Sequence, residues 1–144
     1  MLGEAGAGEG IREWIAERAA TALGFIQLGV LAEALRRTAA HTVERKQFGK
    51  QLAAFQAVAH RAADAYIDIE ALRSTLWQAA WPIDQGLPPS SAVAVASWWA
   101  CEAGARVGHA CQDLHGGTGA DLDYPIPRYY LWAPANEVSP VSYT

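Results

Sequence analysis

One long stretch without proline constrains the fold of this chain more than any other feature of its sequence. From Ile11 to about Lys46 the chain carries only two glycines and is rich in Ala, Leu, Arg and Glu. These residues favour helix, and none of them removes a backbone hydrogen-bond donor. The sequence therefore predicts one long first helix.

The apolar residues of this helix do not keep to a single stripe. One face carries Ile15, Ala22 and Ile26, and a second carries Leu28, Leu31 and Leu35. A helix that is apolar on two sides needs neighbours on two sides. We therefore expect it to be central in a bundle.

A second and a third helix are predicted further along the chain. The second runs from about Leu52 to Ala80, and Trp81-Pro82 should end it because proline cannot continue the helical hydrogen bonds. Its apolar stripe is Phe55, Val58, Ala62, Ala65, Ile69, Leu72 and Leu76. The third covers about Ala92–Leu114, and Ser90 or Ser91 could cap it.

A fourth, short helix is predicted over the aromatic segment Arg128–Ala133. Four helices with short connections indicate an all-α fold, an antiparallel up-down-up-down four-helix bundle. We expect a flexible lead-in over residues 1–10, the bundle over 11–133 and an irregular tail over 134–144.

Charge and composition exclude several classes of protein. A net charge of -4 argues against a nucleic-acid partner, because phosphate backbones need a basic surface. We see no run of about twenty apolar residues and no signal peptide at the start, so a cytoplasmic protein without a membrane span is expected. Cys101 and Cys111 lack metal-type spacing and are interpreted as free thiols.

Common catalytic patterns are also absent from the sequence. No histidine follows a glutamate by three residues, as a di-iron bundle would require, so we expect no metal site. There is no nucleophile elbow of the Gly-x-Ser-x-Gly type and no Walker loop. The loop acids Asp121 and Asp123 are interpreted as solvated caps.

The segment Glu44–Asp64 carries the strongest functional signal. Arg45 and Lys46 end the first helical run, Phe48-Gly49 interrupts it, and Lys50 adds a further charge. Cations beside an aromatic residue and a helix end suit a ligand that contains phosphate and a ring. This pattern predicts a clamp for such a ligand.

A glycine-rich loop, His115–Gly119, is the second signal. Glycines permit a close approach of a phosphate or of ligand backbone, but they also form tight turns between helices. Both interpretations stay open from the residues alone. The loop follows a helix rather than a strand, so it is not a Rossmann fingerprint.

Taken together, the two segments resemble a known family. ERKQFGKQLAAFQAVAHRAAD, followed by LHGGTGADLDYPIPRYY, is similar to the C-terminal helical domain of acyl-CoA dehydrogenases, and LGV at Leu28–Val30 matches the first long helix of that family. The ending DYPIPRYYLWA resembles actinobacterial relatives that act on steroid or other bulky acyl-CoA side chains.

The resemblance implies an FAD-dependent enzyme that removes hydrogens from Cα and Cβ of an acyl-CoA thioester. In that family this domain builds the dimer interface and reaches the FAD of the neighbouring subunit. The resemblance implies that Arg45 and Gln47 contact the FAD diphosphate. The adenosine end would then lie along Phe48, Phe55 and Gln56. Backbone groups would hold the diphosphate and ribose, from Asp113, Leu114, His115, Gly116 and Gly117.

The sequence also departs from the family pattern. Relatives often carry Gln in place of Asp113, and a carboxylate beside a diphosphate is repulsive unless it is turned away or bridged. The two family positions of the catalytic glutamate fall on Pro140 and Ala19. Glu137 lies three residues before the first. Glu17 lies about 200° around the helix from the second. The sequence therefore predicts no catalytic residue in this chain.

The N-terminal helical domain and the middle β domain of the family are missing as well. We expect the chain to contribute FAD contacts across a subunit interface and to oligomerise through its helices, in a homo-oligomer or with a catalytic acyl-CoA dehydrogenase subunit. It is either a fragment of a longer subunit or a naturally short subunit for assembly. The alternative is a non-enzymatic four-helix interaction domain that no longer binds flavin.

Overall fold

The computed structural model describes residues 8–120, 123 and 125–129. Three long helices make up most of this part: α1 (Gly8–Glu44), α2 (Gln56–Asp84) and α3 (Ser90–His115). A five-residue 3-10 helix, Gly116–Ala120, follows α3 directly. The predicted all-α fold is confirmed.

A small β-hairpin separates α1 from α2. Strand β1 (Lys46–Gln47) pairs antiparallel with β2 (Lys50–Gln51). Phe48 and Gly49 form the turn, with φ values of 53° and 79°. Two successive positive φ values are typical of the two-residue hairpin turn that matches strand twist. The sequence predicted a break at Phe48-Gly49, but not the strands.

The helices alternate in direction along the chain. Gly24, in the first half of α1, lies against Leu76, in the second half of α2. Arg61, early in α2, pairs with Asp113, at the end of α3. Each helix is therefore antiparallel to the one that follows it, as the short connections predict.

Helices α1 and α3 consequently run parallel, and polar contacts join them near both ends. The Ser90 hydroxyl donates to the Glu17 carboxylate at 2.6 Å. At the other end, His115 Nε2 lies 3.2 Å from Thr38 Oγ1. Ser90 or Ser91 was predicted to cap α3, and that prediction is wrong: the helix begins at Ser90, and its N-cap residue is Pro89, without a side-chain cap.

The core lies between the three helices. From α1, the Leu28, Leu31 and Leu35 side chains are buried. Ile15 and Ile26, on the other predicted apolar face, are 55% and 51% exposed. The prediction of neighbours on two sides is therefore half right, because within residues 8–129 as described only one of these faces is covered.

Pro82 does not end α2. The helix continues to Asp84, and Pro82 is buried within its last turn. The chain closes this turn beyond the proline, since Gln85 N–H bonds to Trp81 O at 3.0 Å and Leu87 N–H to Pro82 O at 2.8 Å. Proline removes only its own N–H bond to the carbonyl four residues earlier, and the bonds beyond it still close the turn. The prediction that Trp81-Pro82 stops the helix is wrong.

The remaining boundaries shift by a few residues. Helix α2 begins at Gln56, because Leu52–Ala54 form a 3-10 turn. The predicted fourth helix begins earlier than expected, since 126–129 are helical with Ile126 buried. Its continuation to Ala133 and the tail over 134–144 lie outside the described residues.

Helix α1 is the one described helix that is long and apolar enough to cross a membrane by length and composition. Such a helix is weak evidence for a span, because a core helix of a soluble protein passes the same test. Here α1 supplies Leu28, Leu31 and Leu35 to the core.

Candidate functional site

The two segments with functional signals meet at one end of the bundle. This end contains the last turns of α1 and α3, the hairpin and the first turns of α2. The Arg61–Asp113 ion pair links the start of α2 to the end of α3. The His41 and His115 rings stack at 4.2 Å between centroids, which links α1 to α3.

The hairpin presents its side chains to the outside. Arg45, Lys46, Gln47 and Phe48 are all exposed, and Phe48 is 91% exposed at the tip of the turn. A non-glycine residue at φ 53° is strained by about 1–2 kcal/mol. An exposed aromatic residue in a strained conformation contributes little to the stability of the chain itself.

Arg45 has a fixed backbone and an exposed side chain. Its N–H donates to His41 O at 2.8 Å, and its carbonyl accepts from Leu52 N–H at 2.9 Å. These bonds hold the residue at the point where α1 ends and the hairpin begins. The guanidinium therefore extends from a rigid position.

An aromatic and cationic platform lies beneath the hairpin. The Phe48 and Phe55 rings meet edge to face at 6.4 Å between centroids. Lys50 Nζ lies 4.5 Å from the Phe55 ring centroid, within cation–π range. Gln56 is exposed beside it, and its Nε2 lies 3.5 Å from His60 Nε2.

The glycine turn changes the direction of the chain at the end of α3. Gly116 has φ 59°, and its N–H bonds to Asp113 O. The backbone N–H of Gly116 is therefore already bonded within the chain, and this residue contributes the shape of the turn. A Cβ on Gly119 would lie 2.8 Å from Gln112 O, whereas a Cβ on Gly117 would meet nothing within 4 Å. The turn is thus tightly packed on one side and open at Gly117.

Asp113 is bridged rather than free. Its carboxylate accepts from the Arg61 guanidinium, and the two side chains are 63% and 49% exposed. The neighbouring Leu114 is half-buried. The pair offsets the negative charge that would otherwise repel a phosphate at this end of the bundle.

The side chain of His115 is buried, unlike the exposed residues of the hairpin. It is 5% exposed and contacts the fully buried Thr38. Burial, and then the charge of His41, lowers the pKa of His115 to about 4. The ring is therefore neutral at pH 7 and belongs to the interior of the bundle.

The family positions for a catalytic glutamate hold no suitable base in the described residues. Ala19 is exposed on α1, and Glu17 is engaged by the Ser90 hydroxyl. Glu137 and Pro140 lie outside the described residues. Within the part of the chain that the structure describes, no three His, Cys, Asp or Glu residues are grouped so that they could hold a metal ion.

Sequence reasoning missed Thr38, His41 and Arg61. Thr38 had a detectable signal, because it continues the buried stripe of Leu31 and Leu35 at helical spacing. A polar residue on such a stripe indicates a buried hydrogen bond. The other two had none, since their partners lie far away in sequence.

Antiparallel helices that carry a basic hairpin and a glycine turn at one end define this all-α domain. The sequence profile described as "Acyl-CoA dehydrogenase, C-terminal domain" matches residues 8–139. The chain belongs to the acyl-CoA dehydrogenase family, whose members that resemble it bind FAD.

Two relatives come from Mycobacterium tuberculosis. The acyl-CoA dehydrogenase FadE27 is 40% identical over 138 residues, which cover 90% of this chain and 37% of FadE27. The crystal structure of the ChsE4–ChsE5 complex contains a chain that is 44% identical, with a TM-score of 0.83. That match covers 86% of this chain and 34% of the other.

A third relative is the steroid acyl-CoA dehydrogenase Tcur3481–Tcur3483, in its G363A variant. The matched chain is 50% identical with a TM-score of 0.83, and the match covers 85% of this chain and 34% of that one. The present chain thus spans only about a third of the length of these relatives. It corresponds to their C-terminal helical part.

Proposed function

We propose that this chain is the C-terminal domain of an FAD-dependent acyl-CoA dehydrogenase and contributes FAD contacts across a subunit interface. The substrate is a steroid or similarly bulky acyl-CoA thioester, which loses hydrogen at Cα and Cβ. One observation carries the proposal: Arg45 and Phe48 are presented outward at the same end of the bundle as the glycine turn.

The residues at this end fit a flavin dinucleotide. A guanidinium at Arg45 and an amide at Gln47 suit the oxygens of a diphosphate. The rings of Phe48 and Phe55 offer an apolar surface for the adenine. Asp113 is the one carboxylate among residues 113–119. It is paired with Arg61 and turned toward α2.

The bound flavin would supply the chemistry of the reaction by accepting the hydrogens from the substrate. The residues of this chain bind and orient it. Arg45 neutralises diphosphate charge, and the hairpin tip covers the adenosine end. Ala19 and Pro140 stand at the family positions of the catalytic glutamate, so in this proposal the base that removes the Cα proton comes from elsewhere. A second acyl-CoA dehydrogenase subunit is its source in this proposal.

Assembly is supported by apolar surface that the described residues leave uncovered. Large apolar side chains between 51% and 63% exposed lie on α1 and α2: Trp14, Ile15, Ile26, Trp77 and Trp81. Apolar surface of this extent marks interaction sites on soluble proteins. The relatives ChsE4–ChsE5 and Tcur3481–Tcur3483 are named as pairs, which favours a hetero-oligomer here.

The test uses the native protein co-expressed with the acyl-CoA dehydrogenase subunit that co-purifies with it. Arg45→Met should weaken FAD binding about tenfold or more, because a charge-assisted hydrogen bond is worth about 1.5–3 kcal/mol. Arg12→Met is the matched control, an arginine that is also exposed and lies at the far end of α1. FAD affinity is measured from the change in flavin fluorescence on binding. Equal affinity in both variants and the wild type contradicts the proposal.

The position of the base has its own test. Glu17→Gln should leave turnover of the assembled enzyme unchanged, apart from the small stability cost of a weakened contact with Ser90. Loss of turnover without loss of assembly would instead assign the base to this chain.

The second candidate function is an assembly domain without flavin. Asp113 favours it, since a carboxylate at this place offers no binding energy to a diphosphate. The absorption spectrum of the purified complex separates the two functions. A complex that assembles through this chain, but holds no FAD at any interface that includes it, supports the assembly function alone.

A further inference from the structure

A buried polar cluster lies directly beneath the glycine turn. It consists of Thr38 on α1, Cys111 and His115 on α3, and the half-buried His41 that stacks on His115. Thr38 is 0% exposed and Cys111 is 2% exposed. Burial raises the pKa of the Cys111 thiol. The cluster is therefore neutral and inert at pH 7, which indicates a structural task.

The hydrogen bonds of Thr38 determine which ring nitrogen of His115 carries the proton. The Thr38 hydroxyl has one proton, and it donates this proton to Ala34 O at 2.8 Å. Toward His115, at 3.2 Å, the hydroxyl oxygen can then only accept. His115 must be the donor, so its neutral ring carries the proton on Nε2. The lowered pKa of His115 agrees with a neutral ring.

This bond fixes the point at which the chain leaves α3. His115 is the last residue of the helix, and Gly116 turns the chain at φ 59°. On the far side of the turn, the Thr118 hydroxyl donates to His115 O at 2.7 Å. The side chain of His115 is thus anchored on α1 while its backbone carries the turn. Helix ends fray when such contacts are missing.

We propose that Thr38 is a positioning residue that holds the Gly116–Gly119 turn in place through the Nε2–H of His115. This inference rests on the proposed function, in which the turn lies against the FAD diphosphate. A turn that is ordered before FAD arrives does not have to be ordered on binding, so affinity is higher. The cofactor site is then partly built from a residue of α1 that does not touch the cofactor.

The experiment compares three variants of the native complex. Thr38→Val removes the hydroxyl but keeps the shape, and Thr38→Ser restores the hydroxyl. Thr21→Val is the matched control, because Thr21 is also buried on α1 and also donates to the carbonyl four residues earlier. For each variant, amide hydrogen exchange at 116–119 is measured on the protein without FAD. FAD affinity is measured on the assembled complex.

Thr38→Val should speed exchange at the turn about tenfold or more and weaken FAD binding about tenfold. Thr38→Ser should restore both, and Thr21→Val should change neither. Unchanged exchange in Thr38→Val, or exchange that Thr38→Ser fails to restore, overturns the inference. Faster exchange with wild-type FAD affinity, while Arg45→Met still weakens FAD, also overturns it and leaves the proposed function standing. If the wild-type complex binds no FAD, the proposed function fails, and exchange alone decides whether Thr38 positions the turn.

One measurement needs no variant and covers the case in which Thr38→Val does not fold. The ¹⁵N chemical shifts of the His115 ring report which nitrogen carries the proton. The Nε2–H form at pH 7 is expected. An Nδ1–H ring has no proton on Nε2 to donate to Thr38, and the inference then fails.

Discussion

The hairpin and the glycine turn lie at the same end of the bundle, yet they are held in opposite ways. Phe48 at the hairpin tip is 91% exposed and strained, whereas His115 before the glycine turn is buried against Thr38. The hairpin tip is not stabilised by burial, whereas the glycine turn depends on a buried contact. The glycine turn is thus fixed by a buried contact with α1, whereas the hairpin tip projects from the bundle.

The largest effect should come from crowding the anchored turn. Gly119→Ala places a Cβ against the backbone carbonyl of Gln112, so the turn or the end of α3 must shift. We expect a loss of about 2–3 kcal/mol in the free energy of unfolding, measured by urea denaturation. Gly117→Ala is the control, since its Cβ meets open space. Equal losses in the two variants contradict a packed turn.

Acid should lower the stability of the fold through the buried ring of His115. The fold lowers the pKa of His115 from 6.5 to about 4, so the unfolded chain takes up its proton first as pH falls. The stabilising contribution is complete above pH 6.5 and is lost between about pH 6.5 and 4, with a total of about 3 kcal/mol.

Urea denaturation at several pH values checks this dependence. His115→Gln should flatten the fall in stability over that range relative to the wild type. His60→Gln, at an exposed site on α2, should keep it. A His115→Gln variant with the wild-type pH dependence means that burial of this ring does not govern the acid response.

A substitution at the hairpin tip should raise the stability of the chain rather than lower it. Phe48→Asn relieves the strain at φ 53°, because Asn-Gly suits this turn, and it should stabilise the isolated chain by about 1 kcal/mol. The same change should weaken FAD binding in the assembled complex. Val43→Asn, which also removes an exposed apolar side chain, lies inside α1 and should give no such gain. A destabilised Phe48→Asn variant shows that the tip is packed after all.

The smallest effect is expected at the Arg61–Asp113 ion pair, which links the start of α2 to the end of α3. Asp113→Gln should change the stability by less than about 1 kcal/mol, because both partners are about half exposed. It should tighten FAD binding a few-fold, since it removes a negative charge and frees Arg61. Asp68→Asn breaks the neighbouring pair with Arg106 and should leave FAD affinity unchanged. Weaker FAD binding in Asp113→Gln means that the carboxylate holds the turn rather than opposing the ligand.

Much of the fold could be predicted from local patterns. Helical composition and apolar spacing located α1 and α3 to within a few residues. The two-residue strands were missed, because a strand of that length shows no alternation. Pro82 was misread, because a proline is tolerated in a last turn whose later hydrogen bonds bypass it.

Only the exposed residues of the candidate site could be predicted from the sequence. Arg45 and Phe48 stand out in the sequence as a charge and a ring beside a glycine. The anchoring of His115 could not be predicted in the same way, because its partner Thr38 lies 77 positions away. The open face of α1 was misjudged for a related reason: apolar spacing indicates that a face needs a neighbour, but not which chain provides it.

The close contact of Gly24 with Leu76 has a consequence for how this bundle can vary. A Cβ at Gly24 would overlap the end of the Leu76 side chain, whereas one at Gly29 would meet nothing within 4 Å. The close packing of α1 against α2 thus depends on the absence of a side chain at position 24. A larger residue at position 24 requires the Leu76 side chain to shift or to be replaced by a smaller one. Drift among related sequences should therefore couple these two sites, while position 29 varies independently.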